Sequence, residues 1–184
     1  MRRSVLLITI FLCTFTWTGW AQSTEASFLS VHVGTLTSSH PGLSTLYGSS
    51  TGIVFGPEVG IPVAHQLKIY GKILYFTKSK DNSKLTQWLI NLGLQYDIPI
   101  SPDISFELQA GPTYSHATET FSGSTSPGSA RMAVFTGLGL EKVFVGTPFS
   151  IFVEAQGVFT PFSGSKPGGN YGGFNASVGS RYYF

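Results

Sequence analysis

From Tyr171 to Phe184 the chain alternates in polarity with a period of two. Phe174, Ala176, Val178, Ser180, Tyr182 and Phe184 fall on one side of an extended segment; Asn175, Ser177, Gly179, Arg181 and Tyr183 fall on the other. Successive side chains of a strand point to opposite faces, so this is a strand whose faces meet two different media. Seven further segments carry the same pattern. They are about Phe28–Thr37, Gly52–Val63, Gln66–Lys78, Leu85–Asp97, Asp103–Ser115, Ala130–Phe144 and Pro148–Thr160. The fourth is the most regular: Trp88, Ile90, Leu92, Leu94 and Tyr96 oppose Gln87, Asn91, Gly93, Gln95 and Asp97. Eight such strands predict an all-β, antiparallel, up-and-down barrel with its apolar face outward and its polar face toward the axis.

The links sort into two kinds. Ser38–Thr51, Ser79–Lys84, His116–Ser129 and Pro161–Asn170 are polar and read as long loops. Those near Ala64–His65, Ile98–Pro102 and Val145–Thr147 are tight. Long outer loops alternating with short periplasmic turns are the habit of membrane barrels, and a soluble sandwich has no reason to sort its links this way. A soluble lipocalin-type carrier is the rival at the level of fold; it would put the apolar face inside.

Charged residues make up 11% of the chain, against roughly 25% for soluble domains. A lipid-facing surface accounts for the deficit, because Arg or Lys there costs about 2–4 kcal/mol near the midplane. No stretch after residue 21 approaches the ~20 apolar residues of a spanning helix. Arg2 and Arg3, the apolar run Val5–Phe15 and the small residues of Gly19-Trp20-Ala21 predict a secretory leader over residues 1–21, with the barrel domain over 22–184. Cys13 would leave with the leader, and the bulky Ile10-Phe11-Leu12 before it does not suit a lipidation site. Without Arg2 and Arg3, 9 basic residues face 9 acidic ones, and no basic stripe suggests nucleic acid.

Some residues resist the pattern. Pro57 and Pro112 fall inside strands, each after a glycine, and predict local bulges. Leu74 and Phe76 are apolar where parity turns them inward, and Lys142 lands on the lipid side near a strand end, from which it can snorkel. Inward glycines (Gly34, Gly56, Gly60, Gly93, Gly111, Gly137, Gly139, Gly179) leave room either for water or for larger neighbours. Glu58, Glu107, Glu141 and Glu154 share the inner face with Lys68, Lys72 and Arg181. A turn near His65 would set Glu58 opposite Lys72. This lumen ionic network reads either as a gate or as a salt-bridge network that fills the lumen; the second is favoured, because buried charges need partners whether or not they act.

The leader, the alternation of links, the inward glutamates and the terminal Tyr182-Tyr183-Phe184 together resemble the small outer-membrane β-barrel family, whose forms include OmpA-type transmembrane domains and OmpX-like proteins. The cadences Gly56-Pro57-Glu58-Val59-Gly60 and Glu107-Leu108-Gln109-Ala110-Gly111-Pro112 also look like porin-like barrels of that group. The resemblance implies localisation in the bacterial outer membrane, periplasmic chaperones and the barrel assembly machinery as partners, and an assembly signal at Val178, Tyr182 and Phe184.

Catalytic and cofactor signals are weak. Some small barrels act on lipid A with a Ser, a His and a carboxylate at the outer rim; Ser115, His116 and Glu119 are the best candidates, with a polar rim as the simpler reading. His32, His40 and His65 lack metal-ligand spacing, and Gly168-Gly169 and Gly172-Gly173 lack the context of a phosphate loop. The expectation is a non-enzymatic, cofactor-free barrel with a largely filled lumen. Its role is structural and interactive, with outer-membrane lipid around it and surface ligands at links 38–51, 79–84, 116–129 and 161–170. The alternatives are a narrow channel for ions or small solutes and, further off, a lipid A-modifying enzyme.

Overall fold

The computed structural model describes residues 26–38, 41–125, 129–159 and 172–184. The expected leader at 1–21 and the link at 161–170 lie outside the described residues. The strands are β1 (Phe28–Ser38), β2 (Thr51–Ala64), β3 (Leu67–Lys80), β4 (Ser83–Ser101), β5 (Ile104–Phe121), the short β6 (Ser124–Thr125), β7 (Ser129–Val143), β8 (Phe149–Phe159) and β9 (Gly173–Tyr183), with one helix, α1 (Pro41–Tyr47), between β1 and β2. Every pairing is antiparallel, and each long strand joins its sequence neighbour. β1 also pairs with β9 along its whole length, from Phe28 opposite Tyr183 to Ser38 opposite Gly173. That pairing closes the ring of eight long strands, so no barrel strand is left with an open edge.

The two faces differ as alternation predicts. On β9, Phe174 and Val178 are about half exposed while Asn175 and Arg181 are fully buried. The same inversion runs around the barrel: Leu29, Val31, Ile61, Leu92 and Val153 face outward, and Gln87, Asn91, Gln109 and Gln156 are buried. A soluble carrier would show the reverse. An apolar outside is stable only in hydrocarbon, where a closed ring pairs its backbone internally. Trp88 and Tyr96, eight residues apart on β4, are both outward, as is Tyr114 within β5, and Phe149, Tyr182 and Phe184 place outward rings at the periplasmic ends of β8 and β9.

Two polar links are shorter than the composition suggests. β3 continues to Lys80 and β4 starts at Ser83, leaving Asp81-Asn82 as the turn, with Asp81 at φ 51°. His116 to Phe121 belong to β5, which turns at Ser122-Gly123 into β6. Polar residues there prolong the hairpins beyond the apolar belt, where both faces can be polar.

The prolines do not produce bulges. Phe55 pairs with Tyr75 and Glu58 with Lys72, with no pair between them and the same register on both sides. Asn91 pairs with Thr113 and Leu94 with Ala110, again with a gap and no shift. The shared register sets Ile73 opposite Pro57 and Leu92 opposite Pro112, and proline has no N–H to give their carbonyls. A Cβ on Gly56 would collide with the Ile73 carbonyl oxygen, and one on Gly111 with that of Leu92. Each glycine Cα–H therefore meets the oxygen that lost its donor, a weak contact in place of a ladder bond. Register shifts occur instead at Pro62/Ala64 and Pro99/Ser101, close to the tight turns.

Candidate functional site: the barrel interior

The interior is built by inward parity. Arg181 on β9 is its hub: Nε donates to Glu58 Oε1 at 3.2 Å and Nη2 to the same oxygen at 2.8 Å. Nη2 also donates to Glu107 Oε2 at 3.0 Å, Nη1 bonds Glu107 Oε1, and Glu141 lies 3.4 Å away. The guanidinium is sandwiched between the rings of Phe28 at 4.4 Å and Phe152 at 4.2 Å. Planar shape, multiple donors and weak hydration suit arginine to this position.

Glu58 and Lys72 are in register, but the Lys72 ammonium is 3.8 Å from Glu58 and bonds Glu154 on β8 more closely. Ser177 Oγ donates to the same Glu154 at 2.7 Å. Lys68 pairs with Asp97 at 2.6 Å, and Gln95 supports that carboxylate at 2.8 Å. Glu141 also accepts from Ser150 and Tyr183. All seven of the inward charged residues proposed from sequence thus lie in this layer and have an opposite charge within reach. Asp97, Ser150, Ser177 and Tyr183 join them. Asp97 was visible as an inward polar residue of β4, but no one-dimensional signal tied it to Lys68.

Toward the outer end lies an amide layer. Asn91 donates to Gln156 at 2.9 Å and accepts from Thr113 at 3.0 Å; Gln156 donates to Gln109 at 3.0 Å and to the Tyr70 hydroxyl at 3.1 Å. Ser30, His32 and Asn175 are buried with polar atoms that have no protein partner among the described residues.

Both ends of the interior are apolar. At the periplasmic end Ala26, Phe28 and Tyr183 cluster. At the outer end Leu36, Val54, Leu74, Phe76, Leu85, Leu89 and Ala117 form a cluster with Leu43 and Tyr47 of α1. This explains the apolar Leu74 and Phe76 on an otherwise polar face. Leu43 and Tyr47 are four apart, on one side of the helix, and Leu43 is only 1% exposed. Gly48, at φ 73°, stops the helix. Lys78 Nζ then donates to the Ser49 and Thr51 carbonyls at 2.6 Å each, tying the returning chain to β3. Several inward glycines make room for rings: a Cβ on Gly60 would meet Phe28, and one on Gly179 would meet Phe152.

The Ser115–His116 candidate comes apart by parity. Ser115 faces inward and accepts from Gln87 at 3.1 Å, whereas His116 is on the opposite face, 3.4 Å from the Thr118 hydroxyl. Adjacent residues of a strand cannot act together on one substrate. His65 lies in the β2–β3 turn, and His40 is outside the described residues. Lys142 is exposed and reaches Asp103 in the β4–β5 turn at 3.7 Å. Asp103 is held below the usual carboxylate range, chiefly by the Ser101 hydroxyl at 2.8 Å. Val178, Tyr182 and Phe184 all face outward, Val178 midway along β9 and the other two at its base.

No protein-family model matches the chain, and no curated protein matches it. Solved structures do share its fold. The Neisserial surface protein A is similar over 87% of this chain and 97% of its own, at 14% identity and a TM-score of 0.68. The N-terminal β-barrel domain of Pseudomonas aeruginosa OprF is similar over 86% and 97%, at 15% identity and a TM-score of 0.58. The attachment invasion locus protein Ail of Yersinia pestis is similar over 86% and 97%, at 11% identity and a TM-score of 0.57. Ail has also been solved in complex with the heparin analogue sucrose octasulfate.

Proposed function

We infer that this chain, which has the fold of the small eight-stranded outer-membrane barrels, is a structural outer-membrane protein with a closed lumen and an interactive outer rim. The observation that carries this reading is the stacking of the interior: an ion-paired middle between two apolar ends, the outer one completed by α1. Eight strands leave an interior just wide enough for side chains. A charge inside it is costly to leave unpaired, so the ionic layer fixes register and fills space together.

The rim reading is supported by the prolonged β3–β4 and β5–β6 hairpins, which carry Lys80, Lys84 and the exposed Phe121 outside the belt. The Ail complex gives a precedent on this fold for a ligand studied with a barrel of this size. The first outer link is largely committed to closing the mouth, so the surface role falls to the hairpins and to the link at 161–170. Separating Ser115 from His116 on opposite faces removes the best catalytic arrangement and favours a non-enzymatic role. The outward aromatic end of β9 supports delivery by periplasmic chaperones and insertion by the assembly machinery.

Single-channel recording of the protein in planar bilayers tests the closed lumen. The expected trace is flat over a wide voltage range. Reproducible stepwise openings that disappear when Leu43 and Tyr47 are cross-linked to the wall would replace this reading with a gated channel.

A further inference from the structure

The buried charges in the middle of the barrel do not cancel. Among the described residues, five buried carboxyl groups (Glu58, Asp97, Glu107, Glu141 and Glu154) face three buried cations (Lys68, Lys72 and Arg181). Two of the pairs balance one for one: Lys68 meets Asp97 at 2.6 Å, and Lys72 meets Glu154. What remains is the single positive charge of Arg181 against Glu58, Glu107 and Glu141. Far from water, three carboxyl groups around one guanidinium cannot all stay ionised, and groups that share a site in this way hold protons instead.

The hydrogen bonds indicate where those protons fit. Glu58 uses Oε1 for both Nε and Nη2 of Arg181, at 3.2 and 2.8 Å. Its Oε2 is buried and receives no hydrogen bond. Lys72 Nζ lies 3.8 Å from that oxygen, too far to donate. A bare ionised oxygen is costly there, and an acid O–H carries no charge. Ser30, opposite both Glu58 and Arg181 in the strand register, has a buried hydroxyl that is also without a protein partner. Glu107 Oε1 and Glu141 Oε2 both approach Nη1 of Arg181, the arrangement in which one proton serves two carboxylates.

The other titratable groups of this layer do not supply the missing positive charge. Tyr183 donates to Glu141, Tyr70 accepts from Gln156, and a tyrosine can add only negative charge. An imidazolium at His32 needs acceptors for two N–H groups, and neither ring nitrogen has a protein partner among the described residues.

We propose that the Arg181 cluster is a buried proton-binding site. One proton resides on Glu58 and a second is shared by Glu107 and Glu141, so that the closed interior is neutral at neutral pH. The ligand is the hydrogen ion rather than a metal cation, because Arg181 already occupies the point at which the three carboxyl groups converge. Taking up the two protons is part of folding, since the same groups are ionised in the unfolded chain.

The test is infrared spectroscopy of the full chain, folded at neutral pH in a detergent without carbonyl groups. It reads the C=O stretch that a carboxylic acid has and a carboxylate lacks. Wild type should show this band. Glu58→Gln should remove about half of it, and Glu58→Gln combined with Glu107→Gln nearly all, because Arg181 is then balanced by Glu141 alone. Glu119→Gln, at the outer end of β5, should leave the band intact. Glutamine has the shape of the neutral acid, so Glu58→Gln should also leave the folding equilibrium constant nearly unchanged. Loss of an ionised partner from a buried pair would lower that constant by roughly a hundredfold or more, and a loss of that size overturns the proposal. Absence of the acid band in folded wild type overturns it too, as does a band that both glutamine variants leave at full strength. A folded state that forms only with added sodium or potassium, and without the band, would assign the surplus charge to a metal cation and overturn it likewise.

Discussion

Arg181 shows how much of the barrel can depend on a single residue. It touches Glu58, Glu107 and Glu141 while two rings enclose its faces. Removing one partner of a buried pair leaves uncompensated charge, at a cost of about 3–5 kcal/mol. Arg181→Leu should therefore lower the unfolding free energy of the barrel, read from urea titration in vesicles, by that order. Arg181→Lys should recover only a minor part, since a single ammonium cannot fork between Glu58 and Glu107 or stack as a plane. An Arg181→Leu barrel with an unchanged midpoint would mean that the carboxylates are accommodated without it. Glycines allow a sharper comparison at the same scale. A Cβ at Gly111 meets backbone of β4, while one at Gly71 finds Leu92 and Val59 side chains at 3.5 Å, an ordinary contact. Gly111→Ala should cost on the order of 1–3 kcal/mol as an overpacked site, and Gly71→Ala should stay within about 0.5 kcal/mol. Equal effects in the same unfolding assay would argue against the close approach at Gly111.

At the scale of elements, α1 and the broken ladders behave differently. A helix of 7 residues is too short to be stable alone in water, so α1 is held by the apolar cluster in the mouth and by the return through Lys78. Leu43→Ala should loosen α1 without unfolding the barrel. Protease cleavage within 41–47 should rise several-fold while the barrel keeps its heat-modifiable migration; loss of that migration would instead show that the cap supports the whole ring. At Pro57 the missing donor is the defect. Pro57→Ala restores an N–H opposite the Ile73 carbonyl, and one hydrogen bond is worth about 0.5–1.5 kcal/mol net. We expect a higher urea midpoint and a slowly exchanging amide at residue 57 itself, the donor that the substitution restores. Fast exchange there would mean that the gap is imposed by Gly56 and its contact rather than by proline. The glycine–proline pairs were visible in the sequence, but their consequence was not. A bulge and an in-register gap leave the same one-dimensional trace, and the close approach of a carbonyl to glycine separates them.

At the scale of the whole molecule, two media write the sequence. Lipid outside and a polar interior constrain every second residue, which is why strand number, parity and closure were legible from alternation alone. The choice of partners was not. Lys72 faces Glu58 across one strand pair but bonds Glu154 across the lumen, and Arg181 on β9 reaches Glu107 on β5. Such contacts depend on strand tilt and shear, which the pattern of one strand does not carry. The helix was illegible because tertiary packing makes it, and the prolonged hairpins because both of their faces are polar. The outward end of β9 separates folding from delivery. Phe184 is 47% exposed on the lipid side, and its backbone N–H bonds the Ser27 carbonyl at 3.0 Å, a bond that an alanine keeps. If this terminal aromatic is read by the assembly machinery, Phe184→Ala should cut the folded barrel recovered from membranes of expressing cells several-fold. The purified variant should nevertheless refold into vesicles with the wild-type yield. A matching loss in both experiments would make Phe184 a stability residue, and no loss in either would remove it from assembly altogether.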